Sequence, residues 1–130
     1  MKLLRVVLVL SSLLQLFLFY QLLAMPEAII AGFGIPESAS AEMIARRAGI
    51  LFLVAGLFGL VMAWKVKGRQ LMALSLVMAI GWLAMASESA FEWSRGFAGD
   101  GTLMPMGAEA LFGLLMLLAC LRMLWMEKRK

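Results

Sequence analysis

Four long apolar runs divide this chain, and basic residues crowd alternate ends of them. The first run, Val6 to Pro26, passes 21 positions without a charge. As a helix rising about 1.5 Å per residue it reaches roughly 31 Å, the thickness of a bilayer hydrocarbon core. Three comparable runs follow. With 64% hydrophobic and 15% charged residues, the chain lacks the polar surface that a soluble domain of this size needs. The pattern predicts an all-α fold: a four-helix transmembrane bundle with spans at about 3–24, 42–64, 70–91 and 105–126. It uses residues 1–130 as one domain, boundaries being good to about ±2–4 residues.

The N-terminus has the outline of a secretory leader, with Lys2 and Arg5 ahead of an apolar stretch. That stretch exceeds the usual apolar region of a signal peptide, about 7–15 residues. Leu22-Leu23-Ala24 also puts a large residue where cleavage wants a small one. The run is therefore read as a retained first span.

Charge placement sets the expected topology. With both termini and the link between spans two and three on one side, that side carries Lys2, Arg5, Lys65, Lys67, Arg69, Arg122, Lys128, Arg129 and Lys130. The opposite side keeps Arg46, Arg47 and Arg95, together with every acidic residue except Glu127. The positive-inside rule then predicts a multi-pass protein of the cytoplasmic (inner) membrane with both termini cytoplasmic. Trp64 and Trp125 fall at the inner ends of spans, Tyr20 and Trp93 near the outer ends, as an aromatic belt requires. The net charge of +4 is spent on flanking spans, so no nucleic-acid surface is expected.

The link Lys65–Arg69 is short and predicts that spans two and three are antiparallel neighbours. Outside, Pro26 to Gly34 reads as a short interfacial helix, with Pro in its first turn, acid beside it and Gly at its end. It is expected to lie on the membrane surface or to tuck over the bundle. Ser38 or Ser40 caps the second span. The turn Gly96–Gly101 is glycine-rich but lacks the Lys and the helix placement of a phosphate loop.

Small residues mark packing faces. Gly49, Gly56 and Ala63 recur at heptad spacing on the second span, and Ala55, Gly59 and Ala63 at four. Such stripes let helix backbones approach where no hydrophobic drive exists. Packing within the chain is the first reading and a homodimer seam the second.

Charged residues near the outer ends are the candidate site. On the third span Gly81, Ala84, Glu88, Glu92 and Arg95 share a stripe, and its small residues mark it as the packed face. Glu109 enters the fourth span on a face shared with Gly113 and Cys120, about 6 Å below an end at Pro105. A charge inside a bilayer costs roughly 2.5–3.5 kcal/mol at the centre, less near the interface. Ion pairing is the cheap remedy, which predicts a cluster in which Arg46 and Arg95 meet Glu88, Glu92 and Glu109. Two roles compete for it: a structural lid, or a polar pocket for a small or amphipathic ligand or a proton.

Metal chemistry has little support. There is no His, and Cys120 is the single cysteine. Met104-Pro105-Met106 is one Met-x-Met pair among twelve Met residues, and Met is a common filler of apolar packing. No cofactor is expected.

Several of these residues together resemble a family: Pro26, Gly34-Ile35-Pro36, Arg46-x-x-Gly49, Gly56-Leu57, Arg95, Asp100-Gly101 and Glu109. Over about residues 5–125 the chain is similar to small bacterial four-helix integral membrane proteins grouped as a domain of unknown function, and more loosely to DoxX-like membrane proteins. The resemblance implies a four-helix bundle in a bacterial inner membrane and no established activity. Glu88 and Glu92 depart from that family pattern.

Three functions remain in play, all with the lipid bilayer as surroundings. The first is a non-enzymatic accessory subunit or binding module of a larger membrane complex. The second is a binder or carrier of a lipophilic molecule, a quinone or a lipid, in a pocket near the outer face. The third, a proton-coupled transporter or membrane enzyme, has against it the lack of any nucleophile–base constellation.

Overall fold

The computed structural model describes residues 2–127; Lys128, Arg129 and Lys130, for which the cytoplasmic side is expected from charge, lie outside them. Four long helices and one short one make up the chain: α1 (Lys2–Ala24), α2 (Pro26–Gly32), α3 (Ala39–Lys65), α4 (Gly68–Ser94) and α5 (Leu103–Glu127), the last entered through a 3₁₀ turn at Asp100–Thr102. No strand occurs among the described residues. The all-α four-helix bundle and the short helix between its first two members are as the apolar runs predicted. Each long helix has the length and apolar character needed to cross a membrane.

Boundaries differ from expectation for local reasons. Helix α3 begins at Ala39, because Ser38 is the cap: its side chain accepts the Ala41 amide at 3.1 Å. Helix α4 continues to Ser94, where Gly96 at φ +74° ends it. Helix α5 starts at Leu103, two residues early, since the 3₁₀ turn runs straight into it. Pro105 then sits in the first turn, where its missing amide hydrogen costs nothing.

The helices are apolar on all sides, and that surface faces outward. Leu51, Val77 and Leu118 are among many large side chains left 60–70% exposed, an arrangement water does not tolerate and lipid does. Exposed Trp64 and Trp125 ring the end that carries the chain termini, and Tyr20 and Trp93 lie exposed toward the other end.

Two intimate pairs build the bundle. Helix α3 lies against α1 along its small-residue stripe, and α4 lies against α5. A Cβ at Gly56 would sit 3.1 Å from the Ser12 carbonyl oxygen, and one at Gly59 2.2 Å from Ser12 Oγ. The stripe thus packs within the chain, the first of its two readings. Arg5 strengthens the same seam from below, donating to the carbonyls of Ala63 and, at 3.1 Å, Val66. These are α3's last carbonyls, which have no helical partner and carry the negative end of its dipole.

Helices α3 and α4 are different. They are consecutive and joined through Val66 and Lys67, yet they scarcely approach each other. The expected neighbour contact is replaced by α1–α3 and α4–α5, with α1 touching α5. Glycines of α3 fit the α1 surface at Ser12, Leu16 and Leu22, and Gly113 of α5 fits against Leu83 of α4; α3 and α4 make no such close approach. The bundle is therefore open along the α3–α4 seam.

The two halves of the bundle also differ. The continuous core of Leu4, Val7, Leu8, Met62, Leu71 and Met123 fills the half nearer the termini and reaches the middle of the bundle at Trp82 and Met116. The other half is roofed by α2. Its Ile30 is buried, and its end is held to the α4–α5 loop by the Gly99 amide, which donates to the Phe33 carbonyl at 2.9 Å. A Cβ at Gly101 would lie 2.0 Å from the Gly32 carbonyl oxygen, so this close approach needs glycine. Of the two placements expected for the short helix, it tucks over the bundle.

Candidate functional site

Under α2 the bundle encloses space. A cavity of about 430 Å³ is bounded by α1, α2, α3, α4 and α5, with Leu22, Ile30, Phe33, Ile44, Phe52 and Met85 among its apolar walls. Its polar groups are Gln21 and Glu109. Deeper along the open seam lies a second cavity of about 400 Å³, lined by Gln15 of α1, by Ala48, Leu51, Phe52 and Ala55 of α3, and by Met78, Gly81, Trp82 and Met85 of α4. Ala48, Phe52 and Met85 line both, so the two are compartments of one cleft. Small residues keep it open: nothing lies within 4 Å of the position a Cβ would take at Gly81. Each compartment falls in the range of about 300–1,000 Å³ typical of ligand sites.

Among the described residues, Glu109 is the only acidic one with a place in this cleft. It is 8% exposed, and its Oε2 accepts from Ser89 Oγ on α4 at 3.3 Å. Because α5 starts at Leu103, Glu109 lies about 9 Å along the helix, deeper than the sequence indicated. It does share a buried face with Gly113 and Cys120.

The other charged candidates are not gathered around it. Arg46 is exposed and pairs with Glu42 one helical turn away at 3.5 Å. Arg95 is exposed and stacks on Phe91 and Phe97, its guanidinium carbon 5.1 and 4.6 Å from the ring centroids. Among the described residues neither arginine forms an ion pair with Glu88, Glu92 or Glu109. Glu88 and Glu92 line an adjoining cup of about 350 Å³ on the other side of Ser89, with Phe97 and Thr102; it shares Phe33 and Ile35 with the cavity under α2. The expected ion-paired arrangement is thus corrected, and the reason lies on α4. Its packed face is Leu71, Ser75, Ala79, Trp82 and Ala86, whereas Gly81, Ala84, Glu88 and Arg95 are exposed. Helix α4 carries two small-residue stripes. Ala79 and Ala86 are on the stripe that meets the bundle, because Trp82 between them stacks on Phe112 of α5, ring centroids 5.8 Å apart.

The weak metal candidates are apart from the cleft. Met104 is 86% exposed and Met106 half-buried. Among the described residues no three His, Cys, Asp or Glu side chains converge.

Sequence reasoning missed Gln15 and Trp82. Gln15 is 7% exposed with Oε1 unpartnered; Trp82 is 2% exposed with Nε1 unpartnered. The first left a signal, since Gln15 is one of two large polar residues inside the uncharged first run, and polar groups within a span mark packing or function. Trp82 had none, because an indole in the middle of an apolar run reads as core.

Comparison of the chain with protein-family models, with curated proteins and with solved structures returns no match. The functional argument therefore stands on the geometry of the cleft.

Proposed function

We propose that this chain is a multi-pass membrane protein that binds a lipophilic small molecule, admitted from the bilayer through the open α3–α4 seam. The observation that carries this reading is the two-compartment apolar cleft with one buried carboxylate, Glu109, under the roof of α2. A seam open toward lipid needs no aqueous entry path, and an apolar molecule already concentrated in the bilayer reaches it by lateral diffusion. A quinone or a lipid has the required chemistry: an apolar body for the walls and a polar function for the few polar groups. The charge distribution supports a cytoplasmic membrane with both termini inside. On that orientation the α2 roof is on the outer face and the tight core on the inner one.

The test is extraction. Protein purified in a mild detergent should retain one apolar compound in near-stoichiometric amount, detected by mass spectrometry of an organic extract. Ala48→Phe fills the wall shared by both compartments and should release it while leaving helix content and solubility in detergent unchanged. Equal extracts from the two proteins would end this reading.

Service as a subunit of a larger membrane complex draws on the exposed apolar flank of α3, where Leu51, Val54 and Val61 are more than half exposed. Lipid covers such a flank equally well. A stoichiometric partner protein after mild extraction would favour the subunit role. A proton relay through Glu88, Glu92 and Glu109 draws on the adjoining cavities they line, but among the described residues no acidic one lines the deeper compartment that such a relay would have to cross.

A further inference from the structure

Glu109 is a buried carboxylate with no cation of its own. It is 8% exposed and lines the compartment under α2. Its one side-chain partner is the Ser89 hydroxyl, which reaches Oε2. Oε1 makes no hydrogen bond and is not sealed in; among the described residues, the unpartnered side-chain atoms closed off from open space belong to Ser12, Gln15, Trp82 and Thr102. An ionised carboxylate offers about four acceptor sites, so most of its capacity is unused. Arg46 is committed to Glu42, and Arg95 to the rings of Phe91 and Phe97. Arg47 is exposed. Among the described residues no lysine or arginine lines either compartment of the cleft, and Gln21, the other polar group under α2, is neutral.

Two features favour the ionised form. Glu109 lies about 9 Å along a helix roughly 37 Å long, and a charge costs less toward the interface than at mid-bilayer. Ser89 also departs from the pattern of its helix. Ser75 and Ser87 return their hydroxyls to carbonyls one turn back, at 2.7 and 2.8 Å. Ser89 turns to the carboxylate instead, the stronger acceptor when charged. A buried charge needs a counter-charge, and the chain supplies none here. The wider field has the same sign. This end of the bundle holds every acidic residue but Glu127, and only Arg46, Arg47 and Arg95 among the basic ones. Glu88 and Glu92 stand in the adjoining cup. Such a field gathers cations and repels carboxylate and phosphate heads.

We infer that the counter-charge comes with the ligand: the compartment under α2 receives the ammonium head of a lipophilic amine, whose apolar body lies along the cleft. This rests on the lipophile-binding reading above and names its ligand class. An amine with a hydrocarbon body settles in a bilayer with its head near the interface and its body below. That is the order of Glu109 and of the apolar walls that lead into the deeper compartment, Phe52 and Met85.

Three probes of one shape test this: pyrenylmethylamine, pyrenylmethanol and acetylpyrene. Each is equilibrated near neutral pH with the full chain in nanodiscs of zwitterionic lipid and read as excess fluorophore over protein-free discs. The amine should bind at least about tenfold more tightly than the alcohol, the scale of one hydrogen bond to a charged group. Glu109→Gln keeps the shape of the side chain. It should abolish that preference and leave the alcohol within about twofold, which also shows that the cleft still forms. Glu109→Asp keeps the charge and should retain a preference for the amine. The double change Glu88→Gln, Glu92→Gln should lower amine binding by no more than about threefold, since those groups act through a screened field. If amine and alcohol bind alike to the unaltered protein, the ammonium site is wrong while lipophile binding stands. If acetylpyrene binds best, Glu109 has kept its proton and serves a carbonyl, and the inference falls. It falls too if the double change costs as much as Glu109→Gln, because the cation is then held in the outer cup. If Glu109→Gln weakens all three probes together, Glu109 is structural and the inference falls. If no probe exceeds protein-free discs, the cleft reading falls with it.

Discussion

The Ser89 hydroxyl donates to Oε2 of Glu109 across the α4–α5 interface, at 3.3 Å. It is the one side-chain hydrogen bond Glu109 makes, and it ties the buried carboxylate to the helix behind the cleft. A hydrogen bond to a charged group is worth about 1.5–3 kcal/mol, against about 1 for a neutral pair. Ser89→Ala should therefore lower stability by about 1–2 kcal/mol in detergent unfolding. In a Glu109→Leu background the same change should cost nothing, because no acceptor remains. Equal costs in both backgrounds would show that the pair is not coupled.

Arg5 is a helix cap as well as a flanking charge. Its two nitrogens reach the Ala63 and Val66 carbonyls, so Arg5→Ala should cost about 1–2 kcal/mol by leaving those acceptors and the α3 dipole uncompensated. Arg5→Lys should recover only part of this, since a single ammonium lacks the planar fork that spans two acceptors. Full recovery by Lys would reduce the role of Arg5 to its charge.

Glycines separate into those that hold backbones together and those that do not. A Cβ at Gly101 meets the Gly32 carbonyl at 2.0 Å. Gly101→Ala should push the α4–α5 loop off α2 and speed hydrogen exchange at the Gly99 amide, which bonds to Phe33. Gly107, inside α5 with nothing within 4 Å, should behave oppositely. Gly107→Ala should be neutral or stabilise by up to about 1 kcal/mol through helix propensity.

The α3 stripe and the cleft wall make a second contrast. Gly56→Val should break the α1–α3 seam, where a Cβ already meets Leu16 at 3.0–3.1 Å. The expected result is loss of the folded monomer in detergent. Gly81→Leu faces the open compartment and should fold normally while narrowing the cleft. Retention of a bound lipophile by Gly81→Leu would argue against the deeper compartment as its seat.

Topology has a direct test. Reporter fusions at the two chain ends should report the same, cytoplasmic side, as four crossings and the basic flanks require. Ends on opposite faces would remove the orientation assumed for the α2 roof.

Much of the architecture was legible because it is written in periodicity and composition. Four apolar runs become four helices wherever each backbone amide must find its partner inside its own segment. The Gly49–Gly56–Ala63 stripe identified the packed face of α3 because small side chains alone permit that approach. The same reasoning failed on α4, where Gly81 and Ala84 are as small as Ala79 and Ala86. Choosing between two such stripes depends on what the partner helix presents, here Phe112 to Trp82. The charged cluster was misjudged for a related reason. A cluster assumes that outer-end charges converge, but Glu42, one turn from Arg46, was nearer than any carboxylate on another helix.

Composition, span length and charge asymmetry by themselves determined that this is an α-helical protein with four helices suited to cross a bilayer, because those are properties of each segment taken alone. Only the tertiary arrangement decided that α3 and α4 part, that Glu109 is alone in the cleft, and that Gln15 and Trp82 line one cavity. Those facts depend on which pairs of helix faces fit best, and a segment's own sequence does not contain its partner's shape.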